Sequence, residues 1–329
     1  FYTLNTFVHF SFLNTAASPA GIAVIHSLFN IGATILLFPF ANLLEKMAIL
    51  AIPDKGSEVE EMEEEKINPD LARLDERFLD KPGFAMEECR GVAINMARKS
   101  KKAMNLAIDL LKEYDEKTSA RVEKLENQID QYEDALGTYL VKLSERDLSV
   151  KDSRILSVLL HCIGDFERIS DHAVNIRDAA VEMNKKNLQF SDKAKQELLV
   201  FSNAIRDIID RAVLAFETGD TGLAKEVEPL EQVVDALNKE EKQRHINRLR
   251  TGTCTIELGF VLSDISTNFE RAADHCSNIA VCLLQVDEGG FDTHEYLDIL
   301  KEENSEEFRH EYMELSEKYA LPESKHGGK

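Results

Sequence analysis

The stretch FERISDHAVNI (Phe166–Ile176) returns 103 residues later as FERAADHCSNI (Phe269–Ile279), identical at seven of eleven positions. A segment written twice obliges the chain to build one local structure twice. Its apolar residues say which structure. Phe166, Ile169, Ala173, Ile176 and Ala180 alternate steps of three and four, the spacing of a single helical face. Phe269, Ala272, Cys276, Ile279 and Leu283 repeat it. Between Pro82 and Pro322 the only proline is Pro229, and a chain so poor in the residue that breaks helices runs in long ones. The expected fold class is all-α.

From Gly83 to Asp287 the chain divides into two halves of one plan. Helical patterns cover 83–114, 118–145 and 151–185, and then 190–218, 222–250 and 253–286, with turn signals at Gly219–Gly222 and Arg250–Thr253. The expected architecture is a tandem pair of three-helix bundles, 83–188 and 189–287. Residues 288–329 read as a C-terminal helical tail that packs back or meets a partner, with nothing in it to choose between the two.

Each half carries acidic residues in a fixed phase. Glu167 and Asp171 with Asn175, and Glu270 and Asp274 with Asn278, follow steps of four, one residue after the apolar positions. One residue is about 100° around a helix, so the acidic row borders the buried face. The middle helices repeat the arrangement: VEKLENQID (Val122–Asp130) parallels VEPLEQVVD (Val227–Asp235), with Glu126 and Asp130 matching Glu231 and Asp235 beside the stripes Val122, Leu125, Ile129 and Val227, Leu230, Val234. Like charges one turn apart cost a helix about 0.2–0.5 kcal/mol per pair. Four such pairs beside apolar stripes ask for an offset, and a cation with a taste for oxygen ligands supplies one: Mg²⁺, Mn²⁺, iron or Zn²⁺. The plainer alternative is that each acid pairs with an arginine of a neighbouring helix. His172 and His275 follow the Asp directly and point about 100° off the row, either joining the shell or capping a neighbour. Arg168 and Arg271 also repeat and are expected to pair across the repeats.

A net charge of −21 argues against nucleic acid as a partner, because phosphate backbones need a basic face. The basic run Ala97–Ala103 reads as a solvated face rather than a lipid contact. Five cysteines in no CxxC pair read as free thiols of a reducing compartment. A di-iron oxidase would place His three residues after Glu, whereas here it follows by five. No nucleophile constellation and no glycine-rich phosphate loop occurs, so no enzyme activity is expected.

The N-terminus differs from everything after it. No Asp, Glu, Lys or Arg occurs from Phe1 to Leu44. Gly21–Leu44, at 24 residues, exceeds the roughly 20 needed to cross a bilayer. His26, Asn30 and Pro39 interrupt it, as polar groups facing protein or a water-filled cavity do in a membrane. The alternative is a buried helix. The start at Phe rather than Met suggests a fragment. Residues 1–50 are expected to end a membrane domain, and the acidic 51–82 to form a linker. Lys46 favours a cytoplasmic side for 51–329, placing the chain in the inner (plasma) membrane.

The cores ERISDHAVNI and ERAADHCSNI resemble those of the PhoU family over about Gly83–Asp287. That resemblance implies duplicated three-helix bundles, metal-binding E/D-x-x-x-D motifs and a part in phosphate signalling. Carried over, it puts Glu167, Asp171, Glu270 and Asp274 in metal-binding roles, with Glu126, Asp130, Glu231 and Asp235 as ligands from the partner helices. His26-Ser27-Leu28-Phe29-Asn30, followed by the apolar run to Phe38-Pro39-Phe40, resembles the end of the transporter domain in bacterial sodium/phosphate cotransporters, some of which carry a C-terminal PhoU-like domain. This implies a sodium-dependent phosphate transporter regulated by that domain. His26 and Asn30 would belong to its membrane motif, and Na⁺, inorganic phosphate and a lipid bilayer would be partners of the full-length protein. A second copy of the chain or a phosphate-signalling protein would be a further partner. The rival expectation is a soluble PhoU-like metal-binding regulator of phosphate uptake and signalling.

Overall fold

The structure, a computed structural model, describes residues 68–288 and 306–322, together with positions 27, 29–32 and 34. The chain divides into two compact units, Phe1–Lys66 and Ile67–Lys329. In the first, the described positions are helical, and the Thr34 hydroxyl donates to the Asn30 carbonyl at 2.8 Å. His26 and most of the expected span Gly21–Leu44 lie outside the described residues.

The second unit is built of helices: α1 (Pro82–Leu110), α2 (Glu116–Ser144), α3 (Val150–Lys185), α4 (Asp192–Thr218), the short α5 (Thr221–Lys225), α6 (Val227–Arg250), α7 (Ile256–Glu288) and α8 (Glu306–Lys318). Their starts are written in capping residues. The side chains of Asp115, Ser149 and Ser191 accept from the backbone N–H three residues on, and Asp220 caps Gly222 and Leu223. Gly219 ends α4 in the left-handed region at φ +69°, its N–H on the Ala215 carbonyl at 2.8 Å, a conformation open to glycine at no steric cost.

Helices α1–α3 form one three-helix unit and α4–α7 the other, with α3 packed on α7 and α1 on α4 between them. The apolar stripes face inward: Phe166, Ile169, Ala173 and Ile176 are buried, as are Phe269, Ala272, Cys276 and Ile279. The Phe166 ring meets Phe216 of the other repeat edge-on at 4.9 Å, and Phe201 meets Phe269 at 5.2 Å. The pattern over 222–250 predicts one helix, whereas the structure breaks it at Glu226 and starts α6 at Val227. Pro229 sits in the first turn, where its missing N–H costs nothing.

Two segments that read as linker and tail pack onto this frame. Residues 68–81 form two short 3₁₀ turns with Leu79 buried; the Tyr139 hydroxyl donates to the Asp75 carbonyl at 2.9 Å, Tyr132 donates to Asp70, and Arg73 pairs with Glu88 at 2.6 Å. Helix α8 and the residues just after it pack on the second repeat through buried Leu315, Tyr319 and Leu321. Lys318 and the Tyr319 hydroxyl both donate to Asp207, at 2.9 and 2.8 Å, and Arg211 reaches Glu311 at 3.1 Å.

Among the described residues no helix is long and apolar enough to cross a membrane. The physical reason is visible in the longest: the 36-residue α3 has its longest uncharged run from Ile155 to Gly164 and carries charges on either side of it, too short a run to cross a bilayer.

Candidate functional site

The middle and last helices of the first repeat bring their acidic rows face to face. Oxygens of Glu126 and Asp130 on α2 and of Asp171 on α3 all lie within 4.8 Å of one another. Arg168, on the same helix as Asp171, reaches it at 3.2 Å and Glu167 at 3.4 Å, and the Arg177 charge partly offsets the crowding at Glu126. Burial raises the Glu126 carboxyl above its ordinary pKa, with Asp130 and Asp171 adding to the effect. Asp130 is raised by burial and then by Asp171. Glu167 rises to about 7, first through burial and then through the Asp171 charge, with which it also shares a hydrogen bond. Of these acids Glu167 is the one pushed far enough to hold a proton near neutrality.

The second repeat holds the same residues less tightly. Asp274 is raised by burial, then by Glu270, with Asp235 contributing. Glu270, however, accepts from the Asn238 amide at 2.9 Å, and Lys239 approaches Asp235 at 3.4 Å. Glu231 and Asp274 line a cavity with Glu228, whose carboxylate accepts from Ser277 at 2.6 Å. Among the described residues, only the first repeat gathers three ligand groups to within 4.8 Å. Arg168 and Arg271 do not pair across the repeats as expected. They turn to acids of their own helix, Arg271 reaching Asp274 at 3.8 Å, because a position three residues along is the nearest carboxylate.

The two histidines do something else. Their rings stack on each other at 5.6 Å, where α3 crosses α7. His172 Nδ1 donates to Asn268 Oδ1 at 2.8 Å, joined by the Asn175 amide at 3.0 Å. His275 Nδ1 donates to Asp165 Oδ1 at 2.8 Å, joined by the Asn278 amide at 3.3 Å. His-x-x-Asn of each repeat thus grips the residue that precedes the Phe of the other. The repeated His and trailing Asn form an inter-repeat latch. Its acceptors, Asp165 and Asn268, escaped the sequence reading, although extending the repeat comparison by one residue, to DFER and NFER, exposes them as an equivalent pair.

The donor set of the first cluster is all carboxylate, which suits a hard cation and no thiol-seeking one. Glu126, Asp130 and Asp171 have the mutual reach to share an ion, and Glu167 adjoins them.

The PhoU domain family model matches residues 93–180 and 198–283, together more than half of the chain. The chain belongs to the PhoU domain family. Its curated relatives include the phosphate-specific transport system accessory protein PhoU homolog 1 of Thermotoga maritima, 23% identical over 57% of this chain and 80% of the relative. The PhoU homolog of Pseudomonas aeruginosa is 23% identical over 66% of this chain and 90% of the relative. Among solved structures, PhoU from Pseudomonas aeruginosa superposes with a TM-score of 0.58 at 22% identity, over 62% of this chain and 97% of that one. The phosphate transport system regulatory protein PhoU from Streptococcus pneumoniae gives 0.57 at 17% identity, over 64% and 99%. At such identities the likeness of structures speaks for the fold alone.

These findings correct the membrane reading. The relatives named above are accessory proteins of phosphate-specific transport systems, and no membrane-crossing helix occurs among the described residues. Placement as an inner-membrane protein, with 51–329 as its cytoplasmic part, is overturned, and the sodium-symport reading with its Na⁺ and lipid partners finds no support.

Proposed function

We propose that this chain is a PhoU-like accessory regulator of phosphate uptake whose repeats hold metal ions through paired carboxylates. The regulatory part is supported by the family and by the relatives named as accessory proteins of phosphate-specific transport systems. The partner of such a protein is a component of a phosphate transport system. The metal part rests on one observation, the convergence of Glu126, Asp130 and Asp171 to within 4.8 Å. Glu167 completes the first set, and Glu231, Asp235, Glu270 and Asp274 form the second. A bound di- or trivalent ion such as Mg²⁺, Mn²⁺, iron or Zn²⁺ supplies the positive charge that these acids lack, and so holds the second and third helices of a repeat together.

The test is metal content by mass spectrometry on the purified full chain, beside the triple variant Glu126→Gln, Asp130→Asn, Asp171→Asn and a matching variant of the second set. The expected result is loss of bound metal in the triple variant at unchanged helicity, and a smaller loss in the second. Equal metal in wild type and a variant that neutralises both sets would refute the site. Phosphate uptake measured in cells with and without the chain tests the regulatory half separately, and equal uptake in both would count against it.

A further inference from the structure

The α3–α7 crossing that carries the histidine latch also brings together two thiols that neither the packing nor the carboxylate sites require. With His172 stacked on His275 and Asn278 hydrogen-bonded to Asp165, the helices run antiparallel. One turn further, Cys162 of α3 and Cys282 of α7 fall opposite each other. Each thiol shifts the titration of the other, Cys162 upward and Cys282 downward, as close neighbours do. Both are buried, Cys162 at 0% and Cys282 at 7% exposure. The repeat-related positions are Ile265 and Ala179, which are also buried. The same crossing is therefore packed well by two hydrocarbon side chains, and core shape does not explain a pair of thiols.

We propose that Cys162 and Cys282 are a redox modification site: a hydroperoxide oxidises them to a disulfide that staples the two repeats together along α3 and α7. The neighbouring thiol keeps Cys162 protonated and draws Cys282 below the ordinary thiol pKa. Cys282 is thus the nucleophile. Its sulfur attacks one peroxide oxygen; an S–O bond forms, the O–O bond breaks, and hydroxide leaves and takes up the thiol proton as water. The Cys162 sulfur then displaces the hydroxyl of the sulfenic acid. The S–S bond forms and a second water leaves with the remaining proton. Two thiols give up two electrons and the peroxide accepts them. A cavity of about 480 Å³ opens beside the pair, its wall including Leu159, one turn before Cys162, Phe216, and Leu283, next to Cys282. That cavity brings solvent to within one side chain of the thiols, and movement of Leu159 or Leu283 admits a small neutral oxidant to them. Cys89 and Cys276 are buried without such a partner, and Cys254 is the one half-exposed thiol.

The experiment uses the full chain, exposed to hydrogen peroxide, blocked with iodoacetamide under denaturing conditions, digested and mapped. The expected result is a peptide joining Cys162 to Cys282 within one chain, at least tenfold above any other cysteine pair, and two fewer titratable thiols. Cys162→Ser or Cys282→Ser removes the cross-link. The double variant Cys162→Ile with Cys282→Ala copies the packing of the other repeat, keeps the helical circular-dichroism spectrum, and gives no cross-link. Recovery of Cys162 and Cys282 as alkylated thiols while Cys254 is oxidised, or cross-links running only through Cys254, would overturn the proposal. Wild-type mapping decides this even where a variant fails to fold.

Discussion

At the scale of single residues, the molecule crowds acids more closely than its nearby arginine offsets. Glu167 shows the consequence. Its folded pKa of about 7 lies above the ordinary value of 4.5, so the folded state binds the proton more tightly than the unfolded one. The resulting stabilisation is fully present below pH 4.5 and is lost as pH rises through about 7. In metal-free buffer the melting temperature should therefore fall between pH 5.5 and pH 8, in a range set by that shift. Glu167→Gln should flatten the profile and gain on the order of 1 kcal/mol at pH 8, once solvent screening is allowed for. Thermal melts across that range check both. The latch makes an ordering prediction. His275 donates to the carboxylate of Asp165 and His172 to the amide of Asn268, and hydrogen bonds to charged groups contribute about 1.5–3 kcal/mol against roughly 0.5–1.5 for neutral ones. His275→Ala should accordingly cost more stability than His172→Ala in urea titrations.

Among the elements, α8 is the most separable. Polar groups on its outer turns tie it down, above all through Asp207, which accepts from Lys318 and Tyr319. Burial alone would raise the Asp207 carboxyl, but those two hydrogen bonds and the nearby Arg211 outweigh it and hold the group below its ordinary 3.8. A depressed carboxylate stabilises above the unfolded pKa and loses that contribution as pH falls through the folded one. The docking of α8 should therefore weaken below about pH 4. Asp207→Asn should loosen it at neutral pH, and faster amide exchange across 306–322 with α1–α7 unchanged is the measurement that tells. Leu315 and Tyr319 are buried, so loosening rather than complete loss is the expected extent.

At the scale of the whole molecule, the two repeats of the second unit share a core. Phe216 of the second repeat packs on Phe166 of the first, and α1 lies on α4 as α3 lies on α7. Phe216→Ala should cost about 3–5 kcal/mol, as for buried aromatic truncations. The loss should appear as one cooperative transition in which both repeats unfold. Urea curves followed by circular dichroism and by a probe on either repeat should coincide; separate transitions would mean that each repeat is stable alone.

The sequence by itself determined the helices and their inward faces. The stripes Phe166–Ala180 and Phe269–Ile279 are read from a period of 3.6, which is local, and the caps Asp115, Ser149 and Ser191 are local too. It also showed the acidic rows and their phase, since neighbours on one helix are four residues apart. It did not show that 68–81 and α8 pack back, because their few apolar residues follow no strict period and take their meaning from the surface they meet. It left the two acidic sets looking alike. Only the tertiary structure decided that Glu126, Asp130 and Asp171 close to within 4.8 Å while Asn238 and Lys239 occupy Glu270 and Asp235. The same holds for the histidines and the Cys162–Cys282 pair, whose partners lie about a hundred residues away in the chain. Periodicity fixes which side of a helix a residue is on. What stands opposite is fixed by how two helices cross, and that crossing is set by the sum of all the contacts between them.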